Sequence, residues 1–208
     1  MDENIVEFKN HILSKDMVPG EICNILSNKV VDLEKTILSL GVSNYKETPE
    51  HTITTRHQYY NLLDFLGEDL KLVSKKIAEN CNRIIGGKEF YVKMWANIFR
   101  NGECIRRHMH HASPIIEHDA FRKNVFKTIC GNLFVYGDQN SETIYHLNEP
   151  TAVKNEVGDM HFFSCITEHE TKPYSGNLRI SIAFDMYTRN FFPEIGMMTP
   201  SNLRLISL

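Results

Sequence analysis

At Gly86-Gly87 the hydrophobic period of this chain changes, and that change limits what it can fold into. Before the doublet, apolar residues recur every three or four positions. After it, they recur every second position, so a helical flank must give way to a β core. Between Pro19 and Gly41 the residues Ile22, Ile25, Leu26, Val30, Leu33, Ile37 and Leu40 predict one helix with a buried face. Pro19 suits its first turn and Gly41 a left-handed cap at its end. Tyr59, Leu62, Leu63, Leu66, Leu70, Val73 and Ile77 make the stripe of a second helix, and residues 43–57 read as a loop or short extended segment.

Beyond the doublet, Phe90, Val92, Met94, Ala96 and Ile98 alternate with Tyr91, Lys93, Trp95 and Asn97, the pattern of a half-buried strand. Asn101-Gly102 is a hairpin signal. Strand-like runs follow at 125–136, 143–147, 151–154, 160–164 and 178–187, parted by Gly137-Asp138, Asn148-Glu149-Pro150, Val157-Gly158-Asp159 and Tyr174 to Asn177. With no helical run between them, these strands predict an antiparallel sandwich or barrel. The apolar tail 188–208 must dock on its own domain or on a neighbouring subunit, as a homodimer contact. The expected division is a helical support region at 1–87 and a β core with its tail at 88–208. At 208 residues both fit in one domain.

A formal charge of −3 gives no general attraction to nucleic acid or to anionic membranes. The five cysteines are odd in number, and none pairs in a Cys-x-x-Cys motif, which points to free thiols in a reducing compartment. The opening MDENIVEFKN lacks a secretory pattern, and no stretch has the roughly 20 apolar residues that span a bilayer. A cytoplasmic protein is expected.

Seven of the ten histidines lie between 108 and 169. His108 and His110 stand two apart after the hairpin signal, so on a strand they share a face and can meet one metal. The run Val157 to Phe163 is a tight turn launching an apolar strand, and His169 follows it. Arg179 and Ser181 then alternate with Leu178, Ile180, Ile182 and Phe184 on one strand. A guanidinium turned inward needs an anion, and a carboxylate gripped with the neighbouring hydroxyl would satisfy both groups.

Together these residues resemble the core of the iron(II)/2-oxoglutarate oxygenase superfamily. The likeness runs through Trp95-Ala96-Asn97, Gly102, His108-Met109-His110, Cys130 to Phe134, Gly158-Asp159 through Phe163, His169 and Arg179-Ile180-Ser181. It implies a mainly β fold with N-terminal helices, a double-stranded β-helix or jelly roll. The implied cofactors are Fe(II), 2-oxoglutarate and O2, and the implied reaction is hydroxylation of a C–H bond in a small-molecule or peptide substrate. His108 and His169 would be metal ligands, with His110 where the superfamily usually carries an acidic residue. Arg179 would hold the distal carboxylate of 2-oxoglutarate beside Ser181, and Asn97, Thr128 or Tyr136 would contact it from neighbouring strands.

Two departures stand out. The imidazole at 110 makes the metal complex one charge more positive, unless Glu117 or Asp119 supplies an oxygen. The tyrosine-bearing element of the family is here Cys130-Gly131-Asn132-Leu133-Phe134, so its contact is missing or comes from Tyr136. Two other readings use the same residues. In a cupin-type centre, His161 would replace His169 as ligand. A non-catalytic jelly roll would keep the histidines without chemistry.

Overall fold

The computed structural model describes residues 12–41, 49–110, 123–138 and 141–208. His111, Glu117, His118 and Asp119 lie outside them. Two antiparallel sheets form the core. The larger contains β1 (Ile12–Met17), β2 (Glu89–Phe99), β3 (Thr128–Tyr136), β6 (Asp159–Phe163), β8 (Arg179–Thr188) and β9 (Arg204–Ser207). Their order is β1-β6-β3-β8-β2-β9. The smaller sheet, in the order β5-β4-β7, contains β4 (Glu142–His146), β5 (Pro150–Lys154) and β7 (Glu168–Thr171). From β3 onward the chain passes from the large sheet to the small one and back, twice, which is the winding of a jelly roll.

Strict alternation divides β8 between two environments. Ile180, Ile182, Phe184 and Met186 join the apolar cluster shared with the helices. Arg179, Ser181, Ala183, Asp185 and Tyr187 line the cavity between the sheets. Helices α1 (Gly20–Leu38) and α3 (Lys71–Ile85) bury Leu26, Val30, Ile37, Val73 and Ile77 in that cluster. Full burial of such a side chain contributes about 1.5–3 kcal/mol, so the helices are a structural backing for the large sheet.

The second helix differs from its predicted form. Ile53–Tyr59 is a 3-10 helix, α2 (Leu63–Leu66) is one turn, and α3 begins only at Lys71. Tyr59, on the predicted stripe, is therefore exposed. The break has a physical cause in the buried Asn61, whose Nδ2 donates to the carbonyls of Val92 and Asn202, both at 2.9 Å. Among the described residues, no strand covers this edge of β2 beyond Val92. Residues 60–62 do so instead: Leu62 N–H donates to Met94 O (2.8 Å), and Ala96 N–H donates to the Tyr60 hydroxyl (3.0 Å).

Strand β1 was not anticipated, because polar contacts tie it to α3. Ser14 Oγ donates to Asn80 Oδ1 (2.9 Å), and Asp16 accepts from Lys76 Nζ (3.0 Å) and Asn80 Nδ2 (2.8 Å). Strands β7 and β9 also escaped the pattern, being only four residues each. The tail docks on its own domain, with β9 pairing antiparallel to the start of β2. All five cysteines are free thiols. Among the described residues no helix is long and apolar enough to cross a membrane.

The turn at Asn101-Gly102 is present, but its far arm crosses to the other sheet rather than folding back on β2. Gly102 N–H donates to Tyr174 O (2.7 Å) and Thr171 N–H to Ile105 O (3.0 Å). Gly158, at φ +100°, lies against β1's exit: a Cβ there would meet Val18 O at 2.4 Å.

Candidate active site

His108 and His169 face each other across an isolated antiparallel bridge. His108 N–H donates to His169 O at 3.0 Å, and His169 N–H returns the bond at 2.9 Å. His110, two residues further, is anchored by its N–H to Cys165 O (3.2 Å). The three side chains converge: one ligand atom from each lies within 4.8 Å of the others, and His110 Nε2 is 3.3 Å from His169 Nε2. Neighbouring nitrogens on one metal, at bonds of about 2.1 Å, sit roughly 3 Å apart.

The outer nitrogen of each ring is already committed. His108 Nδ1 lies 2.9 Å from Arg106 O, His169 Nδ1 lies 3.1 Å from Thr167 O, and His110 Nδ1 bonds the Asp185 carboxylate. With the Nδ1 proton on each of these bonds, all three Nε2 lone pairs are left for a metal. Burial, followed by the neighbouring His110, pushes His108 down to about 3. Burial, then His108 and His110, pushes His169 well below the usual imidazole range. Both rings are thus neutral and ready to ligate at neutral pH. The donor set of three imidazoles fits a ferrous or other borderline divalent ion.

Arg179 heads β8 at one end of the same cavity. It is 5% exposed, its Nε donates to Ser141 Oγ (2.7 Å), and its guanidinium sits 5.7 Å from each of the Phe99 and Phe134 rings. Burial lowers it to about 10, so it stays protonated at neutral pH. Among the described residues no carboxylate forms an ion pair with it. A buried cation in that position calls for an anionic ligand. Ser181 and Asn97 lie alongside, with Asn97 Nδ2 3.4 Å from Ser181 Oγ and its Oδ1 accepting from Thr54 Oγ1 (2.9 Å). The cavity of about 360 Å³ takes in Arg179, Ser181, Asn97 and the three histidines.

Two expected contacts are corrected. Tyr136 is 46% exposed and does not line the cavity. The register of β3 shifts between Phe134 and Tyr136, which pairs Tyr136 with Ile180 on the helix side instead of continuing the inward face. Phe134 takes the inward place, against Arg179. Thr128 sits at the far end of β3, its hydroxyl bonded to Val125 O (2.8 Å). His161, the ligand of the cupin-type reading, is turned to the Tyr145 hydroxyl (Nδ1 at 3.3 Å) and does not join the three-histidine group.

The sequence reading missed Ser141 and Asp185. Asp185 had a signal, since it shares the parity of Arg179 and Ser181 on β8 and so their face. Ser141 had none, because it reaches Arg179 from a loop.

The fold, a double-stranded β-helix, is similar to that of solved prolyl hydroxylases. A Pseudomonas putida prolyl-4-hydroxylase superposes with a TM-score of 0.58 at 12% identity, covering 91% of this chain and 100% of that one. A viral collagen prolyl hydroxylase from Paramecium Bursaria Chlorella virus-1, in its 2OG complex, gives 0.57 at 12%, over 87% and 98%. A Trichoplax adhaerens prolyl hydroxylase, bound to a hypoxia inducible factor peptide fragment, gives 0.58 at 14%, over 95% and 94%. No family model and no curated protein matches the sequence.

Proposed function

We propose that this cavity is the active centre of a non-haem Fe(II)- and 2-oxoglutarate-dependent oxygenase that hydroxylates a C–H bond. The observation that carries this reading is one cavity containing three anchored imidazoles and a buried guanidinium that forms no ion pair among the described residues. The likeness of fold to a hydroxylase in complex with 2OG supports it.

His108, His110 and His169 would hold the ferrous ion through Nε2. Arg179 would bind the distal carboxylate of 2-oxoglutarate, with Ser181 and Asn97 beside it. When bound, the ion and the cosubstrate supply the oxidative decarboxylation that activates O2 for C–H hydroxylation and releases succinate and CO2. The chain's own residues orient these groups and keep water out. Phe99 and Phe134 wall the guanidinium, and Phe163 packs edge-on to His169 at 4.7 Å between centroids. Asp185 holds the Nδ1 proton of His110, which fixes that ring and returns the negative charge that a carboxylate ligand would have supplied.

A small molecule or peptide is the substrate class, by analogy with the peptide-bound Trichoplax protein. Five free thiols fit a cytoplasmic setting.

The test is spectroscopic. Anaerobic Fe(II) plus 2-oxoglutarate should give a weak visible charge-transfer band, and admitting air should yield succinate. Arg179→Met should weaken 2-oxoglutarate binding while the metal still binds. Absence of both the band and succinate in the wild-type protein would overturn the reading.

A further inference from the structure

One cation in the cavity has no part in this chemistry. Lys93 lies on β2, directly across from Asp185 on β8 and therefore on the cavity face. Strand register sets it at the end remote from Arg179, which pairs with Phe99 at the other end of β2. Its Nζ is 5.8 Å from the Trp95 ring centre, and among the described residues no carboxylate forms an ion pair with it. Asp185, the nearest candidate, bonds His110 and acts on Lys93 through its field, without an ion-pair contact.

Charge balance gives this placement a meaning. Among the described residues, the Lys, Arg, Asp and Glu side chains that line the cavity are Arg179, Lys93 and Asp185. A ferrous ion and the 2-oxoglutarate dianion cancel each other. With Arg179 on the cosubstrate and Asp185 shared between His110 and Lys93, the charges described at this end of the cavity leave Lys93 only partly compensated. Trp95, Phe192, Met197 and Leu203 supply apolar lining, interspersed with the polar groups of His57, Tyr187 and Asn202. A neutral substrate would leave this half-buried ammonium without an ion-pair partner among the described residues, whereas a monoanion supplies one.

We propose that the substrate is an organic carboxylate, its carboxylate on Lys93 and its apolar body along Trp95, Phe192 and Leu203. This rests on the oxygenase reading and names the substrate class of that site.

The experiment uses the full chain loaded with Mn(II) and N-oxalylglycine, a redox-inert stand-in for the ferrous and 2-oxoglutarate pair. Octanoate, 3-phenylpropanoate and indole-3-acetate are titrated by calorimetry, each against its primary amide, with phenyl phosphate as a further arm. At least one acid should bind, with its amide about tenfold or more weaker. Lys93→Met should lose that preference, Lys93→Arg should keep it, and N-oxalylglycine should still bind both variants. The proposal is overturned if no acid binds, if amides bind as well as acids, if the preference survives in Lys93→Met, or if phenyl phosphate binds more tightly than the acids. Failure of N-oxalylglycine itself to bind the wild-type protein would instead strike the oxygenase reading. Melting curves of both variants check that the fold is kept.

Discussion

At the scale of single residues, the pair of Asp185 and His110 offers a direct measurement. Asp185→Asn keeps the shape but removes the charge that holds the His110 ring. Metal affinity, followed by Mn(II) titration, should fall about 10- to 100-fold, with the far-ultraviolet circular dichroism unchanged. An unaltered affinity would remove Asp185 from the site. A second prediction concerns pH. His57 is neutral in the fold, held down to about 4 mainly by burial, while an unfolded histidine titrates near the usual 6.5. Between these values the unfolded chain binds the extra proton, so stability rises with pH. The metal-free protein should be fully stabilised above about 6.5 and lose melting temperature as the pH falls towards 4. His57→Gln should make that decline shallower, and an identical profile in the variant would count against the argument. The grouping of the site residues was legible at this scale: alternation puts Arg179 with Ser181 on β8, and His108 and His110 converge although they lie on an isolated bridge and a bend rather than on the expected strand. The same rule misplaced Tyr136, since a single-residue irregularity in β3 carries no compositional mark.

At the scale of elements, the clearest test is Gly131 on β3. A Cβ there would meet Phe184 Cζ at 2.3 Å and the carbonyl of His161 at 2.4 Å. Room must be made on both β8 and β6, and the backbone oxygen cannot rotate away. Gly131→Ala should therefore destabilise by about 1–3 kcal/mol or more, read as a lower urea midpoint. A midpoint equal to wild type would show that the strands can part freely. The glycine was visible in the motif, whereas its reason needed the strand order β6-β3-β8. The broken second helix teaches the converse. Its apolar stripe was correctly read from Leu62 to Ile77 apart from the partly exposed Leu63, yet Asn61 diverts the chain to satisfy the uncovered edge of β2. A periodicity argument registers which side chains are buried but not which backbone groups lack partners.

For the whole molecule, the centre joins the two sheets. His108, His110 and His169 come from the small sheet and the segment beside it, while Arg179 and Asp185 come from β8 of the large one. Anything that binds these residues together stabilises only the folded state. Mn(II) with N-oxalylglycine at a hundred times its dissociation constant should add about 2.7 kcal/mol, visible as a higher melting temperature that EDTA reverses. No rise, despite measured binding, would mean that the sheets separate after the centre is lost rather than with it. This coupling could not be read from the linear order, where His110 and Asp185 stand far apart.

The two-way amide bonding of His108 to His169 has a consequence for how the chain tolerates change. The spacing of these rings is set by main-chain geometry, as rungs on a ladder, and owes little to the identity of nearby side chains. Length is what this arrangement cannot forgive. An added residue at Asn101 can bulge outward at the bend, but one inserted between Ile105 and His108 would rotate both imidazoles of the His-x-His segment to the outside and leave His169 facing an empty place.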